Sequence, residues 1–384
     1  MRIYEETHPW LTFSINLSRA PAKLWALLGE CNALSAALSE TPLLPGDRDA
    51  LEREAIVQAV TSVLSDRGST LTEHEIGKLI DGNIDLPPSR GYLAQEAKNF
   101  VSALISIRDG VGVSIRSELI PSTIKNYNAL VLDRLVLPED IVPGEYRKGD
   151  GVETDAAAIP APSADCEYLV ESLCDWLNSG TFAPPADMTV VFGILKAAFA
   201  RMYMSWIVPF GTGNNRTASL LEYHILAVSD IPSHVASSPA AHYARTREEY
   251  RRQFSRAGVP GGKVLPFLRY AVEVFRDCLL SRLETVRTMQ SRALWNHFVH
   301  TLFRDRTSPA DLRRRRLALE LSSLAEPVPA PRILEMLPRL SLEYGSKTYK
   351  TLTRDVNDLI SLGIVEKTPE GIRACVKKIG RKNR

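Results

Sequence analysis

Eight consecutive residues carry the clearest chemistry in the chain: Pro209-Phe210-Gly211-Thr212-Gly213-Asn214-Asn215-Arg216. A long apolar stretch stops at this point and a new helical pattern starts after it. The first N–H groups of a helix have no intrahelical acceptor, and the macrodipole adds partial positive charge there. Gly211 and Gly213 let the backbone approach a phosphate closely. Arg216, in the first turn, adds a forked donor for phosphate oxygens. The chemistry implied is phosphate or nucleotide binding by Gly211, Gly213, Asn214, Asn215 and Arg216. A plain tight turn between two buried helices uses the same residue types, so the loop alone leaves both readings open.

The elements that position this loop are helical. Met188 to Ile207 carries Phe192, Leu195, Phe199 and Met202, too apolar for a surface helix, and is expected to be central. Thr217 to Val228, with Leu220, Leu221 and Ile225, follows the loop. Upstream, apolar residues recur at helical spacing over Ala22–Leu38, Leu51–Leu64, Tyr92–Ile107, Ser122–Val136 and Cys166–Leu177. Two Pro-rich breaks interrupt the pattern. Pro138 to Pro162 has hairpin and loop chemistry, with Pro143-Gly144 and Gly149-Asp150-Gly151. Glu326 to Pro331 holds three alternating prolines, a stiff linker or a domain edge.

Composition excludes several classes. The 384 residues are 45% hydrophobic and 24% charged, as in an ordinary globular protein. The N-terminus, with Glu5, Glu6 and His8, lacks the apolar core of a signal peptide. No run of about 18 apolar residues is present, so no membrane span is expected. The five cysteines are scattered and fit no metal-ligand spacing. Free thiols in the cytoplasm are the expectation. From Pro331 onward there are twelve Lys and Arg against six Asp and Glu, a balance of +6 in a chain of formal net charge +2. The C-terminal part is therefore basic and the rest mildly acidic.

The stretch Val208-Pro-Phe-Gly-Thr-Gly-Asn-Asn-Arg-Thr-Ala-Ser219 resembles the Fic motif. That pattern is His-Pro-Phe, any residue, an acidic residue, Gly-Asn-Gly-Arg, two residues, then Arg. Pro143-Gly144-Glu145-Tyr146-Arg147 and Pro160-Ala161-Pro162 resemble the family's hairpin flap and its lead-in. Trp176-Leu177-Asn178 ends a helix that precedes the central one as in the family. Arg247-Glu248-Glu249-Tyr250 resembles the helix that serves the adenine side, which puts Tyr250 there. The resemblance implies a mainly α chain: a helical N-terminal region (1–115), a Fic core with a β-hairpin flap (116–305), then a linker and a further module (306–384). It also implies an adenylyltransferase using ATP and Mg²⁺ on a protein target that the sequence does not name.

The departures from the motif bear on activity. The family's histidine is the general base that activates a target hydroxyl for attack on the α-phosphate. Here it is Val208, which cannot accept a proton. Loss of a positioned base costs about 10² to 10⁴ in rate. The family's acidic Mg²⁺ ligand is Thr212, a weaker oxygen donor for a hard cation. The second glycine is Asn215, and the last arginine, which meets the γ-phosphate, is Ser219. His224 lies on the same helix but ten residues past Asn214, roughly 15 Å along the axis, and cannot stand in. Thr61-Ser62-Val63-Leu64-Ser65-Asp66 aligns with the family's inhibitory helix. Ser65 stands where its glutamate would be, with Asp66 as a partial substitute.

The last fifty residues read as a winged helix-turn-helix. Pro331–Leu340 is a short amphipathic stretch, and Ser346 is placed to cap a helix over about Lys347–Ser361 that Gly363 ends. Ile364–Lys367 and Ile372–Val376 read as two strands. Lys347, Lys350 and Arg354 are the cations for a DNA groove, and the tail Lys377–Arg384 for phosphates. A packing or dimerisation module is the alternative. The run Arg313–Arg316 reads as helix-surface charge. Three functions follow: a catalytically impaired Fic protein acting by binding, an active transferase with an atypical motif, or a DNA-binding regulator. A second copy of the chain is a further partner to consider, and no membrane is expected.

Overall fold

The computed structural model describes residues 2–65, 68–84, 86–152, 159–324 and 326–376. Asp66 and the tail Lys377–Arg384 lie outside the described residues. The chain divides into two compact units, Met1–Leu283 and Glu284–Arg384. Residues 1–115 share the first unit with most of the expected core.

The first unit is helical. It opens with α1 (Ile3–Thr7), α2 (Ala22–Glu40), α3 (Pro45–Ser65), α4 (Glu73–Ile80), α5 (Gly91–Gly110) and α6 (Pro121–Leu132). Next come α7 (Cys166–Asn178), α8 (Thr189–Ile207), α9 (Asn214–Ala227), α10 (Ser233–Ala236), α11 (Ser238–Arg245) and α12 (Arg247–Ala257). The long α13 (Val264–Leu302) contains the boundary between the units. α8 lies at the centre, packed against α9, α7 and α2. By composition it is long and apolar enough to cross a bilayer, yet 83% of that stretch is buried inside the protein. Leu195, Phe199, Met202 and Trp206 are among its fully enclosed side chains. A helix apolar all round buries every face, which explains its place.

The segment Pro138–Pro162 runs as turns over the motif loop. Its described residues form no paired strands. One isolated antiparallel bridge joins Tyr146 to Phe210. Residues 153–158 of the expected flap lie outside the described residues; in the rest of this strap, Tyr146 and Arg147 bond to the motif loop. α6 also ends earlier than its pattern suggests, at Leu132, where Arg134 takes a positive φ of 55°.

The second unit contains α14 (Pro309–Leu321), α15 (Ile333–Met336), α16 (Pro338–Tyr344) and α17 (Tyr349–Ser361), followed by β1 (Val365–Thr368) and β2 (Gly371–Ala374). The strands are antiparallel, with Val365 opposite Ala374 and Thr368 opposite Gly371. Trp295, Leu317, Leu340, Leu359 and Ile364 build its core. Pro338 splits the expected Pro331–Leu340 helix, since proline cannot donate inside a helix but suits its first turn. Thr348, not Ser346, is the residue before α17, and its side chain makes no cap bond. The Pro-rich stretch is not a free linker. Val328 exchanges both backbone hydrogen bonds with Ile372, at 2.9 and 2.8 Å. A Cβ at Gly371 would fall 2.4 Å from the Val328 carbonyl carbon, so only glycine allows this approach.

Candidate functional site

The motif loop turns tightly between α8 and α9. Val208 closes α8 in the left-handed region, at φ 48° and ψ 61°, while its N–H still bonds Met204 O at 3.0 Å. That conformation is costly for a β-branched residue and better suited to histidine or asparagine. Gly213, at φ 78°, is the last residue before α9. A Cβ there would come within 3.1 Å of Asn128 Nδ2 and 3.2 Å of Leu132 Cδ2. Both backbone conformation and space demand glycine at this point. α9 therefore starts at Asn214, three residues before the sequence pattern suggests.

The polar side chains of the loop are largely engaged within the protein. Asn214 Oδ1 accepts from Phe210 N–H at 3.0 Å, and its Nδ2 donates to Phe210 O at 2.7 Å. Arg216 is 2% exposed. Its Nη1 lies 3.1 Å from Glu96 Oε1 on α5 and 3.4 Å from Val131 O. The cation expected to face a phosphate thus meets a carboxylate of its own chain. Burial favours this arrangement, since an enclosed guanidinium needs a counter-charge.

A second arginine stands under the loop. Arg201 on α8 donates from Nη1 to Ser219 Oγ at 2.6 Å and from Nη2 to Asn215 Oδ1 at 2.8 Å. Glu222 Oε2 lies 3.5 Å from it, and the Tyr243 hydroxyl donates to Glu222 Oε1 at 3.1 Å. Burial opposes the Arg201 charge, but Tyr250, Glu222 and Tyr243 around it outweigh burial and raise its pKa. Burial pushes the Glu222 carboxyl above the usual carboxylate range, against the pull of Arg201 and Tyr243. Ser219, standing where the motif's last arginine would be, therefore receives a guanidinium from the neighbouring helix. The signal in the sequence was one arginine deep in an apolar helix.

Asn128 on α6 is the other residue that the sequence reading missed. It is fully buried. Its Nδ2 donates to Thr212 O at 2.9 Å and lies 3.3 Å from Thr217 Oγ1, and its Oδ1 accepts from Gly144 N–H at 3.0 Å. One side chain so ties the motif loop, α9 and the strap together. Arg147 of the strap adds a bond from Nε to Val208 O at 2.7 Å, and its N–H bonds Pro209 O at 2.9 Å. Nothing short of the folded chain marks Asn128, because its partners are spread over 90 residues of sequence.

The remaining candidates fall in separate places. An open cleft of about 970 Å³ is lined by Gly211, Thr212, Arg216, Glu96 and Arg134, among others. Tyr250 is not on its wall. It packs instead against Tyr243, Phe254 and the Arg201 guanidinium, 5.9 Å from its ring centre. His224 is buried, with Nδ1 2.8 Å from the Tyr127 hydroxyl and Nε2 2.7 Å from Arg116 O. Ser65 ends α3 and donates to Ser62 O at 2.8 Å. Among the described residues, Glu96 on α5 supplies a counter-charge to Arg216. Among the described residues no group of three or more His, Cys, Asp or Glu is placed to hold a metal ion. At the position of the motif's acidic residue, Thr212 offers one neutral oxygen, a weaker donor for Mg²⁺ than a carboxylate.

In the second unit, Lys347, Lys350 and Arg354 are exposed along α17 and just before it. The run Arg313–Arg316 is not simple surface charge. Arg313 and Arg314 both bond the buried Asp355, and Arg316 pairs with Glu343.

No protein-family pattern matches the sequence. Solved structures do resemble this one. A Fic family protein from Desulfovibrio desulfuricans is 17% identical, with 94% of this chain and 97% of that one covered at a TM-score of 0.56. Fic-1 from C. elegans (residues 134–508) is 21% identical, covering 70% and 74% at a TM-score of 0.56. A Fic domain containing signaling protein from Bacteroides thetaiotaomicron is 20% identical, covering 69% and 97% at 0.54. At such identities the likeness concerns architecture, and the mainly helical fold of this chain is that of Fic family proteins.

Proposed function

We propose that this Fic-fold chain does not transfer AMP and acts by binding, with a phosphate-bearing nucleotide as the ligand of the cleft beside the head of α9. The observation that carries the reading is Val208. It is 3% exposed and aliphatic where the motif's proton acceptor would stand. The histidine on α9 is bonded through both ring nitrogens elsewhere. A target hydroxyl then has no base to take its proton, and the attacking group stays neutral.

ATP, when bound, would supply an electrophilic α-phosphorus. This chain's own contribution would be to hold it: the Gly211 backbone, the Thr212 hydroxyl and Arg216 border the cleft that would receive the phosphates. Helix N-termini favour such ligands. The Glu96 carboxylate at the same wall works against an anion, so the affinity expected is modest.

The test is calorimetric titration of the full chain with ATP, with and without Mg²⁺, beside an assay for labelled AMP on protein. Binding that does not depend on Mg²⁺, without label transfer, is the expected result. Transfer of label to any protein overturns the loss of catalysis, and no heat at millimolar ATP overturns the ligand.

A further inference from the structure

α17 sorts its charges by side. Its two carboxylates turn toward α14. Asp355 is fully buried and accepts from Arg313 Nε at 2.7 Å, Arg314 Nε at 2.9 Å and the Tyr344 hydroxyl at 3.0 Å. Asp358 is held by Arg314 Nη2 at 2.5 Å. The opposite stripe is Lys350, Thr353, Arg354, Asn357 and Ser361, all exposed, with spacings of three and four that put them on one face. It contains no carboxylate. Among the described residues, the side chains of Lys347, Lys350, Arg354 and Asn357 make no hydrogen bond or ion pair. Lys367 on β1, which packs against α17, is exposed as well. Five more Lys and Arg, and no acid, follow in the sequence after residue 376.

We propose that this face of α17 binds the major groove of B-form DNA. A helix of 13 residues is about 20 Å long. The B-form groove, about 12 Å wide, admits it. The deep, narrow groove of A-form RNA does not. Lysine and arginine pair with guanine O6 and N7, and asparagine with adenine N6 and N7. All three donor types stand on the stripe without partners. A protein groove would want apolar anchors at helical spacing, and here the nearest large apolar side chain is Tyr349, at one end and 55% exposed. The ion pairs of Asp355 hold α17 against α14 and its bond from the Tyr344 hydroxyl holds it against α16, so the reading face is already ordered before DNA arrives.

The experiment is fluorescence anisotropy of the full chain with a labelled duplex of random sequence, over a series of salt concentrations. Affinity that falls with salt is expected. The double variant Lys350→Ala with Arg354→Ala should bind roughly ten- to a hundredfold more weakly and lower the salt slope by about 2. Both positions are exposed, so circular dichroism should show the fold unchanged. Arg216→Ala, in the other unit, should leave DNA affinity as it is. Three results would overturn the proposal: no salt-dependent binding of the duplex, equal binding by the double variant with all affinity lost on removing residues 377–384, or preference for an A-form RNA hairpin over the duplex.

Discussion

The Arg216–Glu96 pair sets one carboxylate against the cation of the proposed phosphate site. The two residues are 120 positions apart, and no local pattern links them. Replacing Glu96 by Gln removes a negative charge from the cleft wall beside Arg216. ATP affinity should rise about three- to tenfold, as expected for one nearby charge in a partly wet site. The cost to stability is about 1.5–3 kcal/mol, the range for a hydrogen bond to a charged group. Calorimetry and urea denaturation of the same variant read both effects, and unchanged ATP affinity would show that the pair does not guard the cleft. Val208 poses the complementary question. Its left-handed backbone suits histidine better than valine, so Val208→His should fold. We expect that variant to remain without AMP transfer, because Thr212, Ser219 and the Arg216–Glu96 pair still lack the motif's chemistry. Transfer above background in Val208→His would mean that the rest of the site is competent.

Among the elements, α6 matters more than its sequence announces. The strap, the motif loop and α9 meet on Asn128. Asn128→Ala would leave the Gly144 N–H and the Thr212 carbonyl buried without that partner. Such groups cost about 1–3 kcal/mol each. We expect a loss of about 3 kcal/mol in chemical denaturation and faster proteolysis within Pro138–Pro162. A loss below 1 kcal/mol would show that water or a neighbouring group replaces the amide. In the strap, Tyr146 and Arg147 direct backbone bonds to Phe210 and Pro209 of the motif loop.

For the whole molecule, buried titratable groups set the response to acid. Burial lowers the pKa of His224, with the Lys196 charge acting the same way and the Arg116 carbonyl opposing. His242 is lowered too, again chiefly by burial. Both are therefore neutral in the fold where the unfolded chain, with a histidine pKa near about 6.5, takes up protons. The unfolded state binds more protons below that value, so their stabilisation is present above it and lost as the pH falls. The two histidines alone would lower the denaturation midpoint from neutral pH toward pH 5, while Glu222, whose carboxyl burial pushes up to about 7, binds protons in the fold over the same window and works against them. In His224→Gln the midpoint should fall less between pH 7 and pH 5 than in the parent chain, since one of the two opposing histidines is gone. An unchanged slope would assign the acid response to other groups.

Local chemistry was enough to read much of this from the chain. Apolar periodicity located the central helix from Met188 and the helix following the loop, because a stripe of such side chains has to be buried. Gly213 and the missing histidine at Val208 were visible as residue types at fixed offsets. The hairpin after Gly363 was visible as two short β-prone runs around a turn. Other features depend on residues that only folding brings together. Glu96 reaches Arg216, Arg201 reaches Ser219, and Asn128 joins three segments. Asp355 gathers Arg313 and Arg314 from a helix 40 residues earlier. In each contact at least one partner is buried, where a charge or amide is tolerated only next to a group that satisfies it. Which partner arrives depends on how helices pack across the whole chain, and that is decided by tertiary structure.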